Sequence, residues 1–572
     1  MDYFYNIVDL MISLLLLFSL AYFLKRKFNV KMEFSVVLSI SFVICFLYIV
    51  SLVNLLFVGY VALCLFCLIL FIYYLIKDRD NFLKNYCTKS ILICLLLIFI
   101  LSLALAHIKI LHFDNFSHWL VIVSQIIHLN NLPDTSNILT TYYDYPPGSA
   151  YFIYFVSSFN SDYEYMAILS QTSLEILLLL PLFVFAKNNF QYIISSILIV
   201  FFLVIDISVA DLLVDSLLGI FAFSIFMFIY YYRNNLNKLL LFLIPLNLSL
   251  LLIKNVAIFF YFLEFLLLLI ILFSRKNTFK ENIKSVGFFI IPIIAFALWR
   301  IRNKIVFYSI GFSSAQSVSV GNYSSNLSEK SIDVMIQIVK KFIKTMVDYH
   351  NLFVVMFIVL LILSIAFCIV NKPSKKNIFK YFGFILLCYF GYSFFLLAAY
   401  FVSMTTYEAV NLASFNRYFT TIMFLIIGIS IVIYFNKNKD SILLDIIICV
   451  CLLFCIFTSS NSLHLIGIRD DKDSTRTYVE NVIGNYKKNN DKVLVISPKS
   501  SEDGLISFCT TYFLQSRDYR LISNTKELEG INIENYDAVV VYETDDYVVE
   551  FMKNINNFNN KAGVYKVGEN ND

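Results

Sequence analysis

The chain has 572 residues and a formal charge of +4; 59% of its residues are hydrophobic and 15% charged, far from the roughly 45–50% apolar and about 25% charged usage of soluble domains. A soluble fold is excluded, and because lipid offers the backbone no hydrogen-bond partner, long apolar runs must be helices, which also removes coiled coils, disordered scaffolds and membrane barrels. The charge is split: residues 467–572 hold 13 Lys or Arg against 18 Asp or Glu, a net of −5 that leaves +9 elsewhere, a surplus that reports membrane orientation rather than nucleic acid binding.

The fold class is a polytopic α-helical membrane protein. About 14 spans are expected, near 4–24, 34–53, 56–76, 90–110, 165–186, 191–209, 212–232, 238–253, 256–274, 285–305, 352–370, 380–402, 418–435 and 441–460. Residues 25–27 are basic and 1–6 carry no Lys or Arg, the reverse of a cleavable signal peptide, so the first helix is expected to stay with its N-terminus outside. Basic stretches at 25–31, 77–89, 187, 233–238, 275–284, 372–380 and 437–439 fall on alternate connections, which makes them cytoplasmic and leaves both termini outside. Three parts follow: N-terminal helices at 1–89, a membrane core at 90–461 with external loops 111–164 and 306–350, and an external domain at 462–572.

Residues 116–129 and 334–346 carry apolar side chains at helical spacing and read as amphipathic helices on the outer surface. In the tail, 492–497 and 536–542 read as buried strands and 475–486, 505–514 and 547–558 as helices, a small α/β unit. Nearly all of the 11 cysteines fall in apolar runs, so no disulfide framework is expected.

Candidate chemistry starts where the fourth span ends. His107, His112, His118 and His128 crowd one stretch around Asp114, and Asp114 and His118, four apart, share a helical face on which they could act on one substrate or ligate one ion. A divalent metal is possible. Further on comes Tyr142-Tyr143-Asp144-Tyr145-Pro146-Pro147-Gly148, whose prolines and glycine make a defined turn back to the membrane. An acidic residue leaving a span, a surface helix with an embedded aromatic and a Tyr-Pro-Pro-Gly return resemble the bacterial GT-C-type glycosyltransferases, which include the protein O-mannosyltransferase and aminoarabinose transferase groups. The resemblance covers roughly 90–300 by motif order and departs from the family in having three spans ahead of that unit. It implies a sugar taken from a polyprenyl-phosphate carrier, inversion at the anomeric carbon, and Asp114 as the carboxylate that activates the acceptor hydroxyl.

The remaining charges near the outer face are Asp206, Asp211, Asp215, Lys254, Arg300, Arg302, Glu408 and Arg417. Lys254 in an apolar run needs an anion, either a phosphate or one of the aspartates, unless it reaches the outer surface. Arg417 suits a phosphate because its guanidinium donates two parallel hydrogen bonds. The expectation is therefore transfer of a sugar from a polyprenyl-phosphate-linked donor to an extracytoplasmic acceptor. Asp114 is expected as the base, with His118 orienting it or the acceptor; Asp144, Tyr145, Asp211, Asp215, Lys254, Arg300, Arg302, Glu408 and Arg417 are expected to line the substrates. A cell-surface polysaccharide polymerase and a transporter or flippase of lipid-linked glycans are the alternatives, the latter requiring a midplane site and repeated halves.

Overall fold

The computed structural model describes residues 2–106, 108–157, 163–205, 208–275, 279–310, 319–348, 352–371, 375–437, 442–459, 474–484, 486, 488, 491–498, 504–555 and 557–567. His107, Asp206 and the basic residues Lys276, Lys372 and Lys439 lie outside them. Three apolar helices open the chain, α1 (Asp2–Phe28), α2 (Met32–Ser51) and α3 (Leu56–Lys77). Asn29 and Asn54 make the turns between them at φ 51° and 59°, a left-handed conformation asparagine tolerates better than most residues.

The basic stretch after α3 is not a plain loop, as the sequence suggested, but a short helix, α4 (Arg79–Tyr86). Phe82 explains it: the ring is fully buried and meets Tyr22 edge-on at 5.1 Å, while Asp78 accepts a 2.7 Å bond from the Tyr22 hydroxyl. A 54° bend then leads into α5 (Lys89–Ala104). A π-helical turn over Asn115–Trp119 then runs into α6 (Leu120–Leu129), followed by α7 (Gly148–Ser157). The expected surface helix at 116–129 is this turn plus α6, and it is buried rather than laid on lipid. The Asn130 side chain at its end accepts from Tyr154 of α7 at 2.8 Å, and Ser124 bonds Gln515 of the tail at 3.2 Å, so protein covers both sides.

The body continues through α8 (Tyr163–Leu179), α9 (Asn189–Val204), α10 (Asp215–Tyr232), α11 (Leu236–Ile253), α12 (Ala257–Phe273) and α13 (Phe279–Val306). Helices α14 (Val320–Ser328) and α15 (Ile332–Val347) precede α16 (Leu352–Asn371), α17 (Lys375–Val402), short α18 (Thr406–Asn411), α19 (Phe415–Lys437) and α20 (Ile442–Ser459). Each expected span coincides with a helix. Among the described residues nine helices are long and apolar enough to cross a membrane, or ten if α4 and α5 form one bent span. The chain is thus a polytopic helical protein. Helices α8, α10 and α19 are buried along most of their length, whereas α3 and α13 turn apolar side chains outward, which lipid accepts and water would not.

Two close approaches fix the packing of these helices near their ends. A Cβ on Gly148 would lie 2.5 Å from the Leu252 carbonyl oxygen, and one on Gly219 would lie 2.5 Å from that of Thr421. Only glycine lets α7 reach the end of α11, and α10 pack on α19.

The tail is an α/β unit of α21 (Thr475–Ile483), β1 (Val493–Ile496), α22 (Leu505–Leu514), β2 (Tyr519–Ile522), β3 (Ala538–Val541), α23 (Asp546–Met552) and β4 (Gly563–Lys566). Strand order is β2-β1-β3-β4, with β1 parallel to β2 and β3 and with β4 antiparallel. The edge strands β2 and β4 are too polar to be read from sequence. One face, with Leu494, Ile496, Val539 and Val541, closes its own core on Val548 and Met552 of α23. The other face joins the core of the membrane body through α21 and α22. Four charges pin that junction: Arg476 pairs with Glu164 at 2.9 Å and Glu480 at 3.1 Å, and Lys109 with Glu480 at 2.9 Å. The Tyr512 hydroxyl donates to Glu164 at 2.7 Å.

Candidate functional site

Asp114, with helical backbone angles (φ −63°, ψ −20°), stands directly before the π-helical turn. Its backbone N–H donates to His112 Nδ1 at 3.1 Å. The next residue, Asn115, anchors the turn: its Nδ2 donates to Asp211 at 2.6 Å and its Oδ1 accepts from the Leu212 N–H at 3.3 Å. The returning loop is tied in by Thr140, whose hydroxyl donates to the Ser117 carbonyl at 2.6 Å.

Three helix ends bring charge to Asp114. Arg417, in the first turn of α19, reaches Asp114 Oδ2 at 2.7 Å and Asp215 Oδ2 at 3.1 Å. Lys254, in the extended break between α11 and α12, reaches Asp215 Oδ1 at 2.6 Å. An arginine at a helix N-terminus meets the positive end of the dipole, so the two carboxylates offset an otherwise unfavourable position. Lys254 is not at the free surface; it is buried, paired with Asp215, and lies 4.9 Å over the Tyr418 ring.

These groups surround one cavity of about 100 Å³, lined by Asp114, His118, Trp119, Tyr142, Tyr145, Lys254, Glu408, Arg417 and Tyr418 among others. Trp119 stacks on Tyr145 at 5.3 Å. The Trp119 indole N–H is buried and has no hydrogen-bond partner among the described residues. A buried donor left unpaired is costly, and this one is in the wall of the cavity. Glu408 belongs to the capping box of α18, where its carboxylate accepts from the Thr405 N–H at 3.0 Å.

Burial alone would raise the Asp114 carboxyl, but the Arg417 charge, with smaller contributions from His118 and His112, outweighs it and holds the group below the usual carboxylate range. His118 is driven down to about 3, chiefly by burial, with Lys254 and Arg417 adding to the effect against Asp114. It is therefore a neutral imidazole, bonded through Nδ1 to the Ser117 hydroxyl at 2.7 Å and packed against the Tyr142 and Tyr145 rings. No hydrogen bond joins it to Asp114. Asp211 is buried behind Asn115, and burial raises its carboxyl.

The sequence-derived set therefore divides. Asp114, His118, Tyr145, Lys254, Glu408 and Arg417 meet at this cavity, with Asp215 bridging the two cations. Asp211 supports from behind. Asp144, Arg300 and Arg302 do not line it: Arg300 pairs with Asp144, and Arg302 donates to the Pro133 carbonyl at 2.7 Å, both fastening the loop to α13. Trp119, Tyr142 and Tyr418 complete the walls, and Asn115 sets the turn. An aromatic in a membrane protein carries no signal that separates wall from core, although Tyr418 adjoins Arg417 in the chain. Among the described residues no group of three or more His, Cys, Asp or Glu is placed to hold a metal ion. A comparison with known families, characterised proteins and solved structures finds no match to this chain, so the chemistry of the cavity carries the functional reading.

Proposed function

We propose that the protein is a membrane glycosyltransferase that moves a sugar from a polyprenyl-phosphate-linked donor to an acceptor hydroxyl outside the cell membrane. What carries the reading is the joining of a carboxylate, two cations and an unpaired indole donor around one aromatic-walled cavity at the outer ends of helices. Aromatic faces suit a sugar ring, Arg417 and Lys254 suit a phosphate, and Asp114 suits a base. The acceptor oxygen attacks the anomeric carbon as its proton passes to Asp114, and the bond to the phosphate oxygen breaks on the opposite face with inversion. The leaving polyprenyl phosphate keeps the electron pair, its charge held by Arg417 and Lys254.

At rest Arg417 holds Asp114. A donor phosphate that takes the guanidinium releases the carboxylate for the acceptor, so donor binds first. His118 is neutral and braces the aromatic wall rather than relaying the proton. Asp215, Lys254 and Arg417 stand at helix ends, where their charges converge on the space offered to the donor phosphate.

The topology proposed with this function has fourteen crossings, cytoplasmic basic connections and both termini outside. An impermeant thiol reagent added to intact cells, in a background without native cysteines, should label Lys526→Cys and not Asp80→Cys; both positions are exposed. The function itself is tested by isolating the lipids of cells lacking the protein. A polyprenyl-phosphate sugar should accumulate and disappear on complementation, and an unchanged lipid pool defeats the proposal.

A further inference from the structure

A larger opening lies between the external loop and the tail. A cavity of about 760 Å³, inside the roughly 300–1,000 Å³ range of ligand pockets, has Gln125, His128, Asn137 and Thr141 on the loop side and Gln515 and Arg517 on the tail side. A second, of about 290 Å³, shares Leu139, Thr141 and Arg517 with it. Together they form a groove beside the Asp114 cavity. Tyr142, next to Thr141, lines that cavity, and Phe508 of the smaller opening packs edge-on at 5.2 Å against Phe113, which lines it too.

The groove sets amides and hydroxyls, side chains that both donate and accept, among the apolar Leu129, Ile138, Leu139 and Phe508. Gln125 is the telling one. It is 2% exposed, its Nε2 is spent on the Asn137 carbonyl at 2.7 Å, and its Oε1 has no partner among the described residues. A buried acceptor in a cavity wall calls for a donor from a ligand, and a hydroxyl supplies one. The walls are also held together: Gln515, at φ 51°, bonds Ser124 at 3.2 Å and the Tyr512 carbonyl at 2.7 Å. Of the lining charges, Asp518 pairs with Lys488 at 3.6 Å, whereas Arg517, common to both openings, has no ion pair with any described residue.

We propose that this groove binds the acceptor, and that the acceptor is an oligosaccharide carrying acidic groups: hydroxyls answer Gln125, Asn137 and Thr141, and a carboxylate or phosphate substituent answers Arg517. The acceptor role rests on the transfer reading above; the binding chemistry does not. The test uses the full-length protein in detergent micelles, with a hexamer of galacturonic acid as the acidic probe and maltohexaose as the neutral one, and affinities from saturation-transfer NMR titrations.

The acidic hexamer should bind at least about tenfold tighter than the neutral one, and Arg517→Ala, at an exposed position that tolerates truncation, should erase that difference, as loss of a charge-assisted bond does. Thr135→Trp, which crowds the larger cavity from an exposed position, should weaken both probes. Salt near 1 M should lower only the acidic affinity. Failure of both probes to bind, or affinities untouched by both variants, overturns the proposal. Asp114→Asn should bind the hexamer normally, so turnover by that variant would defeat the transfer reading while leaving the groove intact.

Discussion

The protein contains two networks of nearly the same composition. Asp114, Arg417, Asp215 and Lys254 form one, and Glu164, Arg476, Glu480 and Lys109 the other. Each has two acids and two bases, and in each a buried arginine bridges two carboxylates. They differ in what surrounds them. The first opens on a cavity with aromatic walls and an unpaired indole donor; the second is capped by the Tyr512 hydroxyl and fills the seam between tail and body. Buried ion pairs are poor stabilisers against well-packed apolar groups. The lesson is that a charge cluster becomes a candidate site through the space beside it, since charge count and geometry are alike in the two.

Breaking each network separately should separate their roles. The largest effect is expected of Asp114→Asn, which keeps shape but removes the base. Turnover at saturating donor should fall roughly 10²- to 10⁴-fold while the tail stays docked. Lys254→Met should instead raise the donor concentration needed, and normal product formation by well-folded Asp114→Asn would sink the assignment. Next, Arg476→Met strands Glu164 at the seam, and removing one partner of a buried pair costs roughly 3–5 kcal/mol. The tail should then become protease-sensitive, with hydrogen exchange rising across α21 before it rises in the body.

A smaller effect is expected from Gly219→Ala, whose Cβ would collide with the Thr421 carbonyl. Overpacking of this kind costs about 1–3 kcal/mol, and by moving α10 against α19 it should weaken donor affinity more than thermal stability suggests. Smallest is a pH effect. His118 has its folded pKa near 3 against an ordinary 6.5, so below 6.5 the unfolded chain takes up a proton that the folded one refuses. Stability is full above 6.5 and drains as pH falls toward 3, by about 1 kcal/mol over the first unit. His118→Gln should flatten that slope in thermal scans, and an unchanged slope would place the titrating group elsewhere.

Much of the scaffold was legible because lipid enforces it. Apolar length and basic flanks located a helix at every expected position, and the apolar runs at 492–497 and 536–542 marked the inner strands of the tail. The polar edge strands, the helix made by Phe82 and the burial of α6 were not legible, since each depends on a neighbour distant in sequence: Tyr22 for Phe82, Gln515 for Ser124. The candidate residues were visible as charges out of place in an apolar chain. Their sorting was not. Nothing in the order of residues distinguishes Arg417, which meets Asp114 across 303 positions, from Arg300, which fastens a loop.

The π-helical turn at Asn115–Trp119 has a consequence best put as phase. Its bond from the Leu120 N–H to the Asn115 carbonyl spans five residues, one more than an ordinary turn. Each residue of an α-helix advances the side chains by about 100°. The added residue therefore sets the azimuth of all of α6 relative to Asp114, aiming Gln125 at Asn137 and Ser124 at Gln515 while Asn115 faces Asp211. Removing one residue from the turn would leave every other side chain chemically unchanged and swing the groove wall about a quarter circle away from the carboxylate. The turn acts as a rotational coupling between the two openings.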